Sequence, residues 1–170
     1  MSNSANLNAG EVSHSTFYWP QRVYIEDTDA GGIVFYANYL RYFERARSEW
    51  LRSIGLDQRR LMATGVRFVV RDLSIRYRLP ALLDDELVTT LTLTKRSKAG
   101  MTMKQTVLRM NQASAIASDS SEFNEIDRLP KSEIEQQILV DADISIACIN
   151  NQGRPVAIPD DLNPLFNVQS

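Results

Sequence analysis

The chain has few of the residues on which most catalytic centres are built. Among its 170 residues are one cysteine, Cys148, and one histidine, His14. A single thiol forms no internal disulfide and no cysteine-based metal cluster. A lone imidazole in the polar N-terminal stretch argues against a histidine-centred triad and against a histidine-rich zinc site. Catalysis by this chain would have to rest on carboxylates, hydroxyls and main-chain dipoles, with no metal and no cofactor expected. No apolar run reaches the roughly 18 residues needed to cross a membrane, so no membrane insertion is expected. The opening "MSNSANLNAGEVSHST" has neither the basic nor the apolar region of a signal peptide, and the expected location is cytoplasmic. A net charge of −2 offers no basic excess to displace counterions from phosphate, which argues against nucleic acid as a partner.

What is present is ordinary globular composition, with 44% hydrophobic and 24% charged residues. A chain of this length supports one domain that buries about two-thirds of its unfolded surface. Residues 1–17 are expected to form a disordered tail ahead of a single domain over 18–170. "WPQRVYIE" has the alternation of a first strand. From Ala37 to Ile54 the apolar positions Tyr36, Tyr39/Leu40, Phe43, Ala46/Arg47, Trp50 and Ile54 recur at steps of three and four, the mark of an amphipathic helix stopped by Gly55. A second short helix is expected over "LDQRRLMAT". Long strands follow: "VRFVVRDLSIRYRL", "DELVTTLTLTKRS", "MTMKQTVLRM" and "ILVDADISIACIN". In the last of these Val140, Ala142, Ile144, Ile146 and Cys148 share one face, which makes Cys148 a small buried hydrophobe. One long helix followed by a run of strands predicts an α+β domain, with an antiparallel sheet wrapped around that helix.

Residues 111–137, "NQASAIASDSSEFNEIDRLPKSEIEQQ", break the pattern, being rich in Ser, Asn, Gln and acids. The plain reading is a mobile hairpin insertion; the alternative is a lid or partner-docking loop. A short helix is expected near Leu162 to Phe166.

The densest chemistry lies where the first strand gives way to the long helix, in "EDTDAGG". Counted as an EF-hand loop from Asp27, position 12 falls on Asn38, so the bidentate glutamate is missing and calcium is rejected. Asp27 and Asp29 are then either turn residues that satisfy local amides or part of a site built on the helix that follows. A helix N-terminus presents unpaired N–H groups and a partial positive charge. The pair Gly31 and Gly32 lets a ligand approach closely. A carbonyl aimed at those donors is polarised, its oxyanion is stabilised, and a neighbouring carboxylate activates water or attacks.

The stretch "QRVYIEDTDAGGIVFYANYLRYFERAR" resembles the signature of the 4-hydroxybenzoyl-CoA thioesterase family of hotdog-fold enzymes. "VRFVVRDLSIRY" with "PALLDDELVT" is most similar to its Tol–Pal-associated acyl-CoA thioesterase branch. The resemblance implies a curved antiparallel sheet around one central helix, and an acyl-CoA thioesterase as the activity. It makes Asp29, the second acid of D-x-D, catalytic. It also implies main-chain donors between Val34 and Tyr36 for the thioester carbonyl, with Gly31 and Gly32 lining the substrate. Whether Asp29 acts as nucleophile or as general base is left open. The family assembles as dimers with joined sheets, often paired again into a homotetramer, with each active site at the subunit boundary.

Two features depart from that pattern. Tyr36 stands where the Tol–Pal branch commonly has histidine, so no imidazole is on hand there. The segment 111–137 replaces what is usually a short hairpin. Coenzyme A brings phosphates, and "TKRSKAG" supplies Lys95, Arg96 and Lys98, of which Lys98 aligns with the family's phosphate-contacting run. A rival reading is a weakly catalytic or non-catalytic hotdog protein that binds acyl carrier protein or envelope-associated partners through the acidic insertion. A hotdog dehydratase fits poorly, because such enzymes pair histidine with an acid.

Overall fold

The computed structural model describes residues 16–110 and 138–166. The predicted N-terminal tail therefore falls almost wholly outside the described residues, and the insertion over 111–137 lies entirely outside them. The elements are β1 (Thr16–Arg22), α1 (Asn38–Ser53), α2 (Gln58–Ala63), β2 (Val66–Tyr77), β3 (Glu86–Ser97), β4 (Gly100–Arg109) and β5 (Ile138–Asn150). Short 3₁₀ turns occupy Ile25–Asp27 and Asn163–Phe166. The strands form one sheet in the order β1-β3-β4-β5-β2, with every pair antiparallel. This is the α+β hotdog arrangement.

The core follows from two periodicities meeting. On α1, Tyr39, Tyr42, Phe43, Ala46 and Trp50 are buried, a stripe at steps of three and four. On β3, Leu87, Thr89, Leu91 and Leu93 are buried, and on β5 the alternate residues Val140 to Cys148, the step of two that lines one sheet face. The helix lies against β3, β1 and β4. Fully burying a side chain such as that of Phe43 contributes about 1.5–3 kcal/mol. A polar link crosses this interface. Gln105 on β4 donates to Phe43 O at 3.1 Å and accepts from Arg47 at 2.8 Å, so the wholly buried amide leaves neither end unpaired.

Three details differ from the sequence reading. β1 begins at Thr16, inside the expected tail, because Thr16 and Phe17 pair with Thr92 and Leu91. It also ends at Arg22 rather than running on to Glu26. After Val23 the Asp27 carboxylate accepts the Tyr24 amide at 2.9 Å and folds the chain into a 3₁₀ turn. On α1, Leu40 is exposed while Tyr42 is fully buried, so the inner stripe is rotated by part of a turn.

The β3–β4 hairpin closes tightly, with Ser97 opposite Gly100. A Cβ at Gly100 would sit 2.3 Å from Ile146 O on β5, closer than any real contact. Only glycine fits where two backbones approach in this way. Gly100→Ala is expected to destabilise the fold by about 1–3 kcal/mol, read as a lower urea midpoint at unchanged slope.

Candidate active site

The loop between β1 and α1 is fastened at several points before it reaches the helix. Asp27 is 3% exposed, and its carbonyl accepts both the Phe35 amide at 2.9 Å and the Asn38 side-chain amide at 2.8 Å. Thr28 bridges to Val34, and Asp29 N donates to Ile33 O at 2.9 Å, making a miniature hairpin. Gly32 turns it with φ of +74°, a conformation that side chains rarely adopt. A second bridge, Ile33 to Leu82, and the bond from Val34 N to Ala81 O at 2.9 Å tie the hairpin to the segment before β3.

Within this frame the two acids have different surroundings. Asp27 is buried, and its carboxylate caps the 3₁₀ turn. Asp29 is exposed. Its Oδ1 accepts Gly31 N at 2.8 Å, which fixes the carboxylate, while Oδ2 has no hydrogen bond among the described residues. Asp29 is thus held in place with one oxygen free to face a ligand.

The amides of the junction divide in the same way. Those of Gly31 and Gly32 serve Asp29 itself, that of Val34 serves Ala81 and that of Phe35 serves Asp27. Val34 departs from expectation here, because its committed amide and buried side chain make it an anchor rather than a donor to substrate. Among the described residues, the amides of Tyr36 and Ala37 make no main-chain hydrogen bond. They stand immediately ahead of α1, where the helix dipole adds positive potential.

Around these donors is an aromatic wall. Tyr36 is 63% exposed, its ring centroid 4.6 Å from that of Phe35 and 6.4 Å from that of Tyr77. Tyr77 Oη donates to Tyr36 O at 3.1 Å, steadying the peptide that carries the Ala37 amide. Burial raises the phenols of Tyr39, Tyr42 and Tyr77 above their ordinary value, and the nearby Asp27 carboxylate adds to the rise at Tyr42. All three stay protonated at neutral pH, so none of them serves as a phenolate base. Among the described residues no cluster of histidine, cysteine or acids forms a metal site.

The remaining predicted residue lies elsewhere. Lys98 is exposed at the β3–β4 hairpin, and β3 runs from Glu86 beside the loop to Ser97 at that far end. One chain therefore does not bring Lys98 and Asp29 together. Two contributors were missed by sequence reasoning: Asn38, which clamps the Asp27 carbonyl, and Tyr77, which supports Tyr36. The signal for Asn38 was a polar residue at the start of an otherwise apolar helix face, a position suited to holding the incoming loop.

A family model described as Thioesterase-like superfamily matches residues 23–166. With the fold above, the chain belongs to this superfamily. The acyl-CoA thioesterase YbgC of Haemophilus influenzae is 32% identical over 153 residues, which cover 89% of this chain and 94% of the relative. The acyl-CoA thioester hydrolase YbgC of Escherichia coli is 51% identical over 76 residues, or 45% of this chain, and the match spans 57% of that relative's length. The crystal structure of a probable thioesterase from Bartonella henselae is similar at a TM-score of 0.66 and 31% identity, covering 85% of this chain and 100% of the other.

The different surroundings of the two acids predict different effects on stability. Asp27→Ala strands the Tyr24 amide and is expected to cost about 1–3 kcal/mol. Asp29→Asn, at an exposed site, is expected to stay within about 0.5 kcal/mol of the parent chain in the same urea titration.

Proposed function

We propose that the protein hydrolyses acyl-CoA thioesters of small or medium acyl groups. The thioester carbonyl oxygen sits at the amides of Tyr36 and Ala37, with Asp29 beside the carbonyl carbon. As general base, Asp29 takes a proton from water while the water oxygen bonds to the carbonyl carbon. The tetrahedral intermediate then expels the coenzyme A thiolate, which takes the proton from Asp29 as the C–S bond breaks. As nucleophile, Asp29 would instead bond to the carbonyl carbon and expel the coenzyme A thiolate as the C–S bond breaks, and water would then cleave the mixed anhydride to the free acid and the Asp29 carboxylate. Either route concentrates negative charge on the carbonyl oxygen, where each well-placed donor contributes about 2.7–4 kcal/mol. One observation carries this reading: a carboxylate whose Oδ1 is fixed by Gly31 N lies in the loop that leads into α1, and just ahead of that helix the amides of Tyr36 and Ala37 make no main-chain hydrogen bond among the described residues. The names of the Haemophilus and Escherichia relatives support the same substrate class.

Assembly into a dimer, and from dimers a homotetramer, belongs to the same proposal. β2 is an edge of the sheet and carries exposed apolar residues, Val70 and Tyr77. An open twelve-residue edge is a natural site for antiparallel pairing with a second copy. Such pairing would also offer Lys98 of a neighbouring chain to the coenzyme A phosphates. The proposed setting is the cytoplasm, and acyl carrier protein thioesters belong in the substrate panel because they present the same bond.

Asp29→Asn is expected to lower turnover of a preferred acyl-CoA by about 10²–10⁴-fold while the chain stays folded. Wild-type turnover by that variant would overturn the role of Asp29. Ala37 has φ of −72°, which proline can adopt, but it follows Tyr36 in a turn closed by Asn38 N on Phe35 O, so Ala37→Pro deletes one amide donor and also strains Tyr36. A loss of about 10²–10³-fold in kcat is expected, whereas Tyr36→Phe, which keeps its main-chain donor, retains most of the turnover.

A further inference from the structure

The inner row of β4 ends on a charge. Met103, Gln105 and Val107 are buried at steps of two, and the next residue of that row is Arg109, partly buried. A guanidinium set against a core needs partners for its donors. Arg109 finds them in the segment that leads into β3. Its Nη2 donates to Pro80 O at 2.7 Å, and its Nε donates to the Asp85 carboxylate at 2.9 Å. The same segment receives the hairpin of Asp29, through Val34 N on Ala81 O and the bridge from Ile33 to Leu82.

Ala81 is flanked by two peptide planes, and Arg109 reaches both. Pro80 O and Ala81 N belong to the first plane. Its oxygen is held by Arg109, and its N–H donates to Tyr39 Oη at 2.9 Å. Ala81 O and Leu82 N belong to the second. Its oxygen accepts Val34 N at 2.9 Å, and its N–H donates at 2.8 Å to Asp85 Oδ2, the same oxygen that accepts Arg109 Nε. Hydrogen bonds with a charged partner are roughly twice as strong as neutral ones. The grip is therefore concentrated around the one carbonyl that catches Val34.

The segment does not keep this shape unaided. Asp84 stands at φ of +66°, and among the described residues it is the one non-glycine residue with a positive φ. Such a conformation persists where surrounding contacts over-determine it. Here those contacts are Asp84 N on Val23 O, Val23 N on Asp85 O and the Arg109–Asp85 ion pair. Val34 lies in the chain between Asp29 and the amides of Tyr36 and Ala37, so the place where its own amide is caught sets how far the carboxylate stands from those donors. We propose that Arg109, acting through Pro80 and Asp85, is a positioning residue that fixes the spacing of Asp29 from the Tyr36 and Ala37 amides, a role that rests on the thioesterase reading.

Amide hydrogen exchange and kinetics on the full-length protein test this role. Arg109→Gln is expected to speed exchange of the Val34 amide at least about tenfold, while the amides of the β3–β4 ladder exchange as in the wild type. With hexanoyl-CoA or benzoyl-CoA, whichever turns over faster, the same variant is expected to lose about tenfold in kcat with KM held within about twofold, because a displaced reacting group costs rate more than binding. Added to Asp29→Asn, it is expected to cost less than about threefold, since no carboxylate remains to be placed. Arg109→Lys keeps the charge without the fork and is expected to fall between wild type and Arg109→Gln in both readouts. Should Arg109→Gln not fold, Arg109→Lys carries the test. Wild-type Val34 exchange or wild-type kcat would overturn the inference. So would an equal loss of kcat in both backgrounds or a uniform rise in exchange, either of which marks a residue that serves stability alone. A wild-type protein inactive on every acyl-CoA, with Val34 exchange still faster in Arg109→Gln, would overturn the thioesterase reading and leave the Arg109 grip in place.

Discussion

The carbonyl of Asp27 is the fastening on which the candidate site depends. It accepts the Phe35 amide and the Asn38 side chain together, from either side of the turn into α1. With the Asp27 carboxylate also capping the Tyr24 amide, a single buried residue joins the end of the first strand, the acidic hairpin and the start of the helix. A site that needs main-chain donors cannot place them by side-chain choice. It must place them by deciding which amides find partners elsewhere. Here Asp29, Ala81 and Asp27 absorb four amides, and the next two, of Tyr36 and Ala37, make no main-chain hydrogen bond among the described residues.

The buried acid and the exposed acid are two residues apart and differ mainly in what surrounds them. Asp27 shapes and Asp29 presents. The aromatic residues do related work: Tyr77 steadies the Tyr36 peptide, and Tyr39 accepts the Ala81 amide at 2.9 Å, supporting the segment that receives Val34. The central helix is therefore more than a core element. Its buried face carries Tyr39 and Asn38, which hold the loop, and its first turn supplies the dipole at the donors.

Much of the fold was legible because the sheet and helix signals are strong and separate. The alternation of Val140 to Cys148 located a buried face correctly, and the α1 boundaries agree to within a residue. The inner stripe of α1 was less legible, since Tyr39, Leu40, Tyr42 and Phe43 are all apolar and the helix rotation is set by the sheet beneath. The end of β1 was misread because Val23, Tyr24 and Ile25 suit a strand, while a carboxylate further on captures the Tyr24 amide. At the site, the acids and glycines were visible in the sequence. Which amides stay free was not, because Val34 finds its partner at Ala81, far along the chain.

The strand order has a consequence for how the chain is made. α1 is synthesised early, with Tyr42, Phe43 and Trp50 on one face, yet of the strands it lies against only β1 precedes it, and β3 and β4 come later. Val66 waits for Asn150 and Phe68 for Cys148, so β2 has no partner until the last strand has left the ribosome. Pairings this distant slow the search for the native topology. While the middle of the chain is being translated, an apolar helix face and an unpaired β2 are exposed together, and the nascent polypeptide stays adhesive until β5 joins β2.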